Sequence, residues 1–169
     1  MCGISGIVHS ENIGRNLLNS IRNLEYRGYD SCGIAMLRQG TIDLRKNIGG
    51  IDDVNSKEQL DQMQGRIGIA HTRWATHGGV TQENAHPHLS TNRKFAVVHN
   101  GIISNYKELR ESLQSKGVIF DSLTDTEVFA NLLEETFTDC NDLEQSFIAA
   151  LRQIEGSFSI VMLSAHDPE

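Results

Sequence analysis

The spacing of apolar residues changes period several times along the chain, and each change predicts an element. Residues 3–8 alternate small and apolar side chains and predict a buried strand at the very start. Ile13, Leu17, Leu18, Ile21 and Leu24 then recur at intervals of three and four, the spacing of one helix face, with Gly28 placed to cap its end. Residues 32–37 return to a strand pattern, Gln39-Gly40 forms a hairpin-like turn, and residues 41–46 alternate as the returning strand. Residues 49–65 are polar and poorly periodic, a loop with one short helix. Ile67 to Ala70 is a short strand running into His71-Thr72-Arg73-Trp74, and residues 77–93 form a long polar loop. Phe95 to His99 is a strand ended by Asn100-Gly101.

Three helices are expected after that. One covers about 104–115, with Ser104 as N-cap and Gly117 as the stop. A second opens on Thr124-Asp125-Thr126-Glu127, which fits a capping box, with Val128, Phe129, Leu132 and Leu133 on its apolar face. The third covers about 142–154, Gly156 breaks it, and Phe158 to Leu163 alternates as a last strand. Strands and helices group together instead of alternating as βαβ units, which predicts an α+β fold with mostly antiparallel strands.

Composition narrows the function without naming it. The chain has 169 residues, the length of one domain with a full core. Fifteen Lys and Arg stand against 22 Asp and Glu, a net charge of −7, with no basic cluster to neutralise phosphates, so nucleic acid is not the expected partner. No apolar run is long enough to cross a bilayer, and the first residues lack the charged and apolar regions of a signal peptide. Cys2, Cys32 and Cys140 are an odd number at wide spacing, which predicts reduced thiols and a cytoplasmic protein. His71, His77, His86, His88 and His99 crowd one stretch, but at no common zinc spacing. The expectation is no metal and no cofactor, with these rings in structural hydrogen bonds.

Four features carry chemistry. Cys2 follows the initiator Met; loss of Met1 would leave a cysteine whose own α-amine could serve as base for its thiol. Asn100 and Gly101 offer a side-chain amide and a backbone N–H suited to an oxyanion, although Asn-Gly is also a common hairpin turn. Arg73 suits a bidentate grip on a carboxylate, and Trp74, the single tryptophan, could act as a lid. Asp125, at a helix start, could bind an ammonium group or simply favour the helix dipole.

Together these segments resemble the class-II, N-terminal nucleophile glutamine amidotransferases. Met1-Cys2-Gly3-Ile4, Leu24 to Ser31, His71 to Gly78, Asn84 to His88, His99 to Ile103 and Thr124 to Glu127 match in order. Within that family, Tyr26-Arg27-Gly28-Tyr29-Asp30-Ser31 is most similar to the glucosamine-6-phosphate synthase branch. The resemblance implies a four-layer αββα sandwich of the N-terminal nucleophile hydrolase type. It implies that Cys2 attacks the side-chain amide of L-glutamine to form a thioester, with Asn100 and Gly101 holding the oxyanion. Arg73 would bind the α-carboxylate, Thr76 and His77 would line that pocket, and Asp125 would bind the α-ammonium. Arg27 would support the nucleophile and Trp74 would gate the exit of ammonia.

The whole chain, residues 1–169, reads as one amidotransferase domain, shortened at its C-terminus and without the sugar isomerase domain that would use ammonia on fructose 6-phosphate. A full-length protein of this kind would be a homo-oligomer. The competing expectation is a non-catalytic fragment that binds glutamine or regulates a partner.

Overall fold

The computed structural model describes residues 2–75 and 79–166. Its strands are β1 (Gly3–Val8), β2 (Ser31–Arg38), β3 (Thr41–Ile48), β4 (Ile67–Arg73), β5 (His88–Leu89), β6 (Phe95–Ile103) and β7 (Gly156–Ser164). Its helices are α1 (Gly14–Arg22), α2 (Ile51–Glu58), α3 (Tyr106–Ser115), α4 (Asp125–Cys140) and α5 (Leu143–Leu151). One sheet has the order β1-β4-β2-β3 and the other β5-β6-β7, and every described pairing is antiparallel.

Strand parity stacks these elements into four layers. Successive side chains of a strand point to opposite faces. On β2, Ile34 and Met36 pack with Leu17 and Ile21 of α1 and Ile51 and Val54 of α2. Ala35 and Leu37, one residue out of phase, pack instead with Ala96 and Val98 of β6 and Leu163 of β7. On β6, Phe95 and Val97 pack with Val128, Phe129 and Leu132 of α4. The order is therefore helices, sheet, sheet, helices, as expected. Strands covered on both faces lose the polar half of their alternation, and Ser31 to Leu37 is buried throughout.

Several local expectations change. Asn100 and Gly101 do not end β6: they lie within it, paired with Ser159 and Phe158 of β7. The hairpin turn is Gln39-Gly40, both at positive φ (51° and 73°). Ser104 does not cap α3; Asn105 occupies that position, and the Ser104 hydroxyl donates to Glu155 O at 3.0 Å. Gly117, at φ 93°, does stop α3. Its N–H bonds Gln114 O while Val118 N–H bonds Leu113 O, a Schellman closure.

The capping box on α4 is half made. Thr124 Oγ1 accepts from Glu127 N, but the Glu127 carboxylate reaches the N–H groups of Asp121 and Ser122 instead of that of Thr124. Helix α1 ends at Arg22, and a 3-10 turn (Glu25–Arg27) separates it from Gly28.

Candidate active site

Parity also delivers polar groups to one end of the inter-sheet layer. On β4, Ile69 faces the second sheet, so His71 does as well. On β6, Ala96 and Val98 face the first sheet, so Asn100 does too. The two side chains meet across the layer, His71 Nε2 to Asn100 Oδ1 at 3.0 Å. Residue Val97 faces α4, and His99 follows it to that side. Its Nδ1 lies 3.0 Å from Thr126 Oγ1 and 3.7 Å from Asp125 Oδ1.

Cys2 sits just before β1, whose first pair is Gly3 with Thr72. Its sulfur accepts the Trp74 N–H at 3.3 Å, and its carbonyl accepts from Asn100 Nδ2 at 3.0 Å. Asp30 secures the same stretch from the other side: its carboxylate accepts Ala75 N–H at 2.8 Å, and its own N–H bonds Arg73 O. Gly28 is not the left-handed cap its position suggests, since its φ is −176°. It is small because a Cβ there would stand 2.6 Å from Arg73 C and 2.7 Å from Trp74 N.

A cavity of about 750 Å³ opens on this arrangement, lined by Cys2, Arg27, Arg73, Trp74, Asn100, Gly101 and Asp125 among others. Of the residues singled out in the sequence, the structure gathers these seven around one space. Thr76 and His77 lie outside the described residues, as does Met1.

Arg73 is 5% exposed. Burial pulls its pKa below the ordinary guanidinium value, opposed by Cys2, Asp30 and Asp125. Its Nη1 donates to Gly79 O. Asp125 opens α4, and its Oδ2 accepts Ile103 N–H at 2.9 Å, which locks the helix start to the end of β6. Gly101 has φ 129°, and a Cβ there would lie 2.0 Å from Ser157 O, so only glycine fits. Arg27 lines the cavity, with Nε donating to the Tyr26 hydroxyl. Trp74 is 43% exposed and meets Tyr29 edge-on at 5.3 Å.

Three buried histidines, His71, His86 and His99, also line the cavity, and His88 is buried next to them. His71 stacks on His86 at 4.2 Å, and His86 meets His88 edge-on at 4.8 Å. Burial lowers the pKa of His71 to about 4 and those of His86 and His88 well below the usual imidazole value. His99 is lowered as well, by burial and against the pull of Asp125. These rings are neutral and spent on packing and hydrogen bonds. Among the described residues, no group of three or more His, Cys, Asp or Glu could hold a metal ion.

The loop that carries His86 and leads into His88 of β5 is fastened by Lys46. Its Nζ donates to Glu83 O, Ala85 O and Pro87 O, and burial lowers its pKa to about 8. Sequence reasoning gave no site role to Lys46, Asp30 or His71. The one available signal was polar density in segments otherwise patterned for burial.

The sequence profile of the glutamine amidotransferase domain matches residues 71–169. Two solved structures share the architecture. The glutamine phosphoribosylpyrophosphate amidotransferase of B. subtilis superposes with TM-score 0.83 at 26% identity, covering 98% of this chain and 35% of that one. The allosteric regulatory enzyme of purine biosynthesis superposes with TM-score 0.84 at 27% identity, covering 98% of this chain and 36% of that one.

Among curated relatives, the glutamine–fructose-6-phosphate aminotransferase (isomerizing) of Methanococcus maripaludis is 48% identical, over 100% of this chain and 29% of that protein. That of Pseudomonas putida is 46% identical, over 100% and 28%. The chain belongs to the glutamine amidotransferase domain family. It spans under a third of the length of these curated relatives. No helix among the described residues is long and apolar enough to cross a membrane.

Proposed function

We propose that this chain, once freed of Met1, hydrolyses L-glutamine to glutamate and ammonia with Cys2 as nucleophile. The observation that carries the reading is one cavity lined by a thiol, a cation and a carboxylate, drawn from the residue before β1, from β4 and from α4, beside the amide of Asn100. Arg73 would take the α-carboxylate and Asp125 the α-ammonium, which orients the side-chain amide toward the sulfur. Thr76 and His77 remain part of that proposed pocket.

Cys2 Sγ would bond to the amide carbon while the α-amine takes the thiol proton. A primary amide has two N–H donors. One from Asn100 already holds Cys2 O; the other, with Gly101 N–H, would hold the oxyanion. Collapse of the tetrahedral species would break the C–N bond, with the α-amine returning its proton to the departing ammonia. Water would then cleave the thioester. Trp74, a partly exposed part of the cavity lining, would gate ammonia, and Arg27 would brace that lining.

The relatives' names extend the proposal. In a longer polypeptide, residues 1–169 would act as the amidotransferase domain, and ammonia would pass to a sugar isomerase domain acting on fructose 6-phosphate. The full protein would then be a cytoplasmic homo-oligomer.

The test is glutamate release from L-glutamine by protein whose N-terminus is verified by intact mass. Processed protein should release glutamate, while Cys2→Ala and Met1-retaining protein should not, because each lacks part of the nucleophile–base pair. Equal turnover by the Met1-retaining form would refute the α-amine as base. No release by folded, processed protein would refute the glutaminase reading for this chain.

A further inference from the structure

We propose that His71 is a positioning residue that fixes the orientation of the Asn100 amide by donating a hydrogen bond from Nε2 to Asn100 Oδ1. The inference rests on the glutaminase reading for its catalytic consequence, and on geometry alone for the bond. The two ends of an amide differ chemically, and the structure presents each with a different neighbour. Cys2 O, an acceptor only, faces Nδ2 at 3.0 Å. That leaves Oδ1 toward His71 Nε2, also at 3.0 Å.

An oxygen lone pair needs a proton opposite, so Nε2 must carry it. The ring is wholly buried and its pKa is near 4, so it holds one proton and not two. Nδ1 is then bare. Consistently, it has no hydrogen-bond partner among the described residues and lies against the stacked His86 ring. The opposite tautomer would set two lone pairs, on Nε2 and on Asn100 Oδ1, 3.0 Å apart.

The consequence concerns the second N–H of Asn100. An amide turned end for end would present its oxygen to a developing oxyanion and repel it. Two neighbours prevent this turn, Cys2 O on one end and His71 on the other. Cys2 O belongs to the reacting residue, whereas His71 is wholly buried in the inter-sheet layer. The stack on His86 and the register of β4 with β2, which pairs His71 with Gly33, hold the ring in place. His71 touches no substrate in this scheme and acts only through Asn100.

Two measurements test it. The first is a double-mutant cycle on glutamate release. His71→Leu should lower kcat about 10- to 100-fold, approaching the loss of an oxyanion donor, with KM for glutamine within about twofold. In an Asn100→Ala background the same substitution should lower kcat no further. A full additional loss would overturn the proposal, because it would show His71 acting independently of Asn100.

The second is a long-range 1H–15N correlation spectrum of the unsubstituted protein at pH 7. His71 should appear as the neutral ring protonated on Nε2. A proton on Nδ1, or on both nitrogens, would overturn the proposal. The spectrum does not require turnover, so failure of the glutaminase reading and failure of this inference give separate results, even if His71→Leu does not fold.

Discussion

Replacing Gly28 with alanine should damage the site from outside it. The backbone there is extended, at φ −176°, so alanine meets no torsional penalty and the whole effect comes from contact. Its Cβ would lie 2.6 Å from Arg73 C, 2.7 Å from Trp74 N and 2.9 Å from Arg73 O. All three atoms are backbone, so no side chain can swing away. Opening the nearest contact from 2.6 Å to the 3.4 Å of an ordinary one moves the Arg73–Trp74 peptide by some 0.8 Å.

That peptide holds Cys2 Sγ through the Trp74 N–H. Overpacking of this kind costs about 1–3 kcal/mol, which for a domain of this size lowers Tm by roughly 2–12 °C. A displacement near 1 Å at a reacting centre costs up to about 10²-fold in rate, so kcat/KM should fall about 10- to 100-fold in protein that is still folded.

Thermal unfolding and glutamate release, measured on processed protein, separate the two effects. Gly40→Ala is the control. There φ is 73° and a Cβ meets nothing within 4 Å, so strain of about 1–2 kcal/mol should lower Tm while leaving turnover intact. If Gly28→Ala melted within 1 °C of the parent and turned over at the parental rate, the account of Gly28 as a spacer behind the nucleophile would be wrong.

Two further outcomes follow from the buried charges. Arg73→Ala should raise KM for glutamine about 10- to 100-fold with a smaller change in kcat, the size of a lost charged hydrogen bond; an unchanged KM would remove Arg73 from carboxylate binding. The neutral histidines should make the fold acid-sensitive before its carboxylates titrate. His71, His86 and His88 have folded pKa values below their unfolded value of ~6.5. Below that value the unfolded chain binds more protons than the folded one, so stability rises with pH up to about 6.5 and is lost as pH falls below it. Each ring contributes a slope of up to ~1.4 kcal/mol per pH unit, and the urea midpoint should drop clearly between pH 7 and pH 5. A flat midpoint over that range would mean the rings are protonated in the folded state.

The layered core was readable from the sequence because burial leaves periodicity. Ile13, Leu17, Leu18 and Ile21 mark one helix face, and all four are buried, Ile13 at the N-cap position and the other three within α1. What the sequence hid was where polar residues belong to the same alternation. Asn100-Gly101 has the composition of a turn, but cross-strand pairing with Ser159 and Phe158 overrides local turn chemistry. Gly28 looked like a cap because local sequence cannot reveal a backbone approach from a residue 45 positions away.

The candidate site was largely legible in its residues, with Cys2, Arg73, Asn100, Gly101 and Asp125 converging on one cavity. The parts behind it were not. Lys46 reads as an ordinary strand lysine until the loop it fastens folds over it. Glu127 fits a capping motif whose reciprocal half the structure spends on Asp121 and Ser122.

The parity of β4 sets different penalties for odd and even changes in strand length. Deleting one residue between Ile67 and Ala70 would send His71 toward the helix layer of α1 and bring Thr72 against the second sheet, so core and chemistry would fail together. Deleting two would keep every apolar residue on its proper face and shift His71 along the strand, away from Asn100. Such a chain could retain its hydrophobic layers while losing the contact that orients the amide, which makes folding and catalysis separable by a single residue of length.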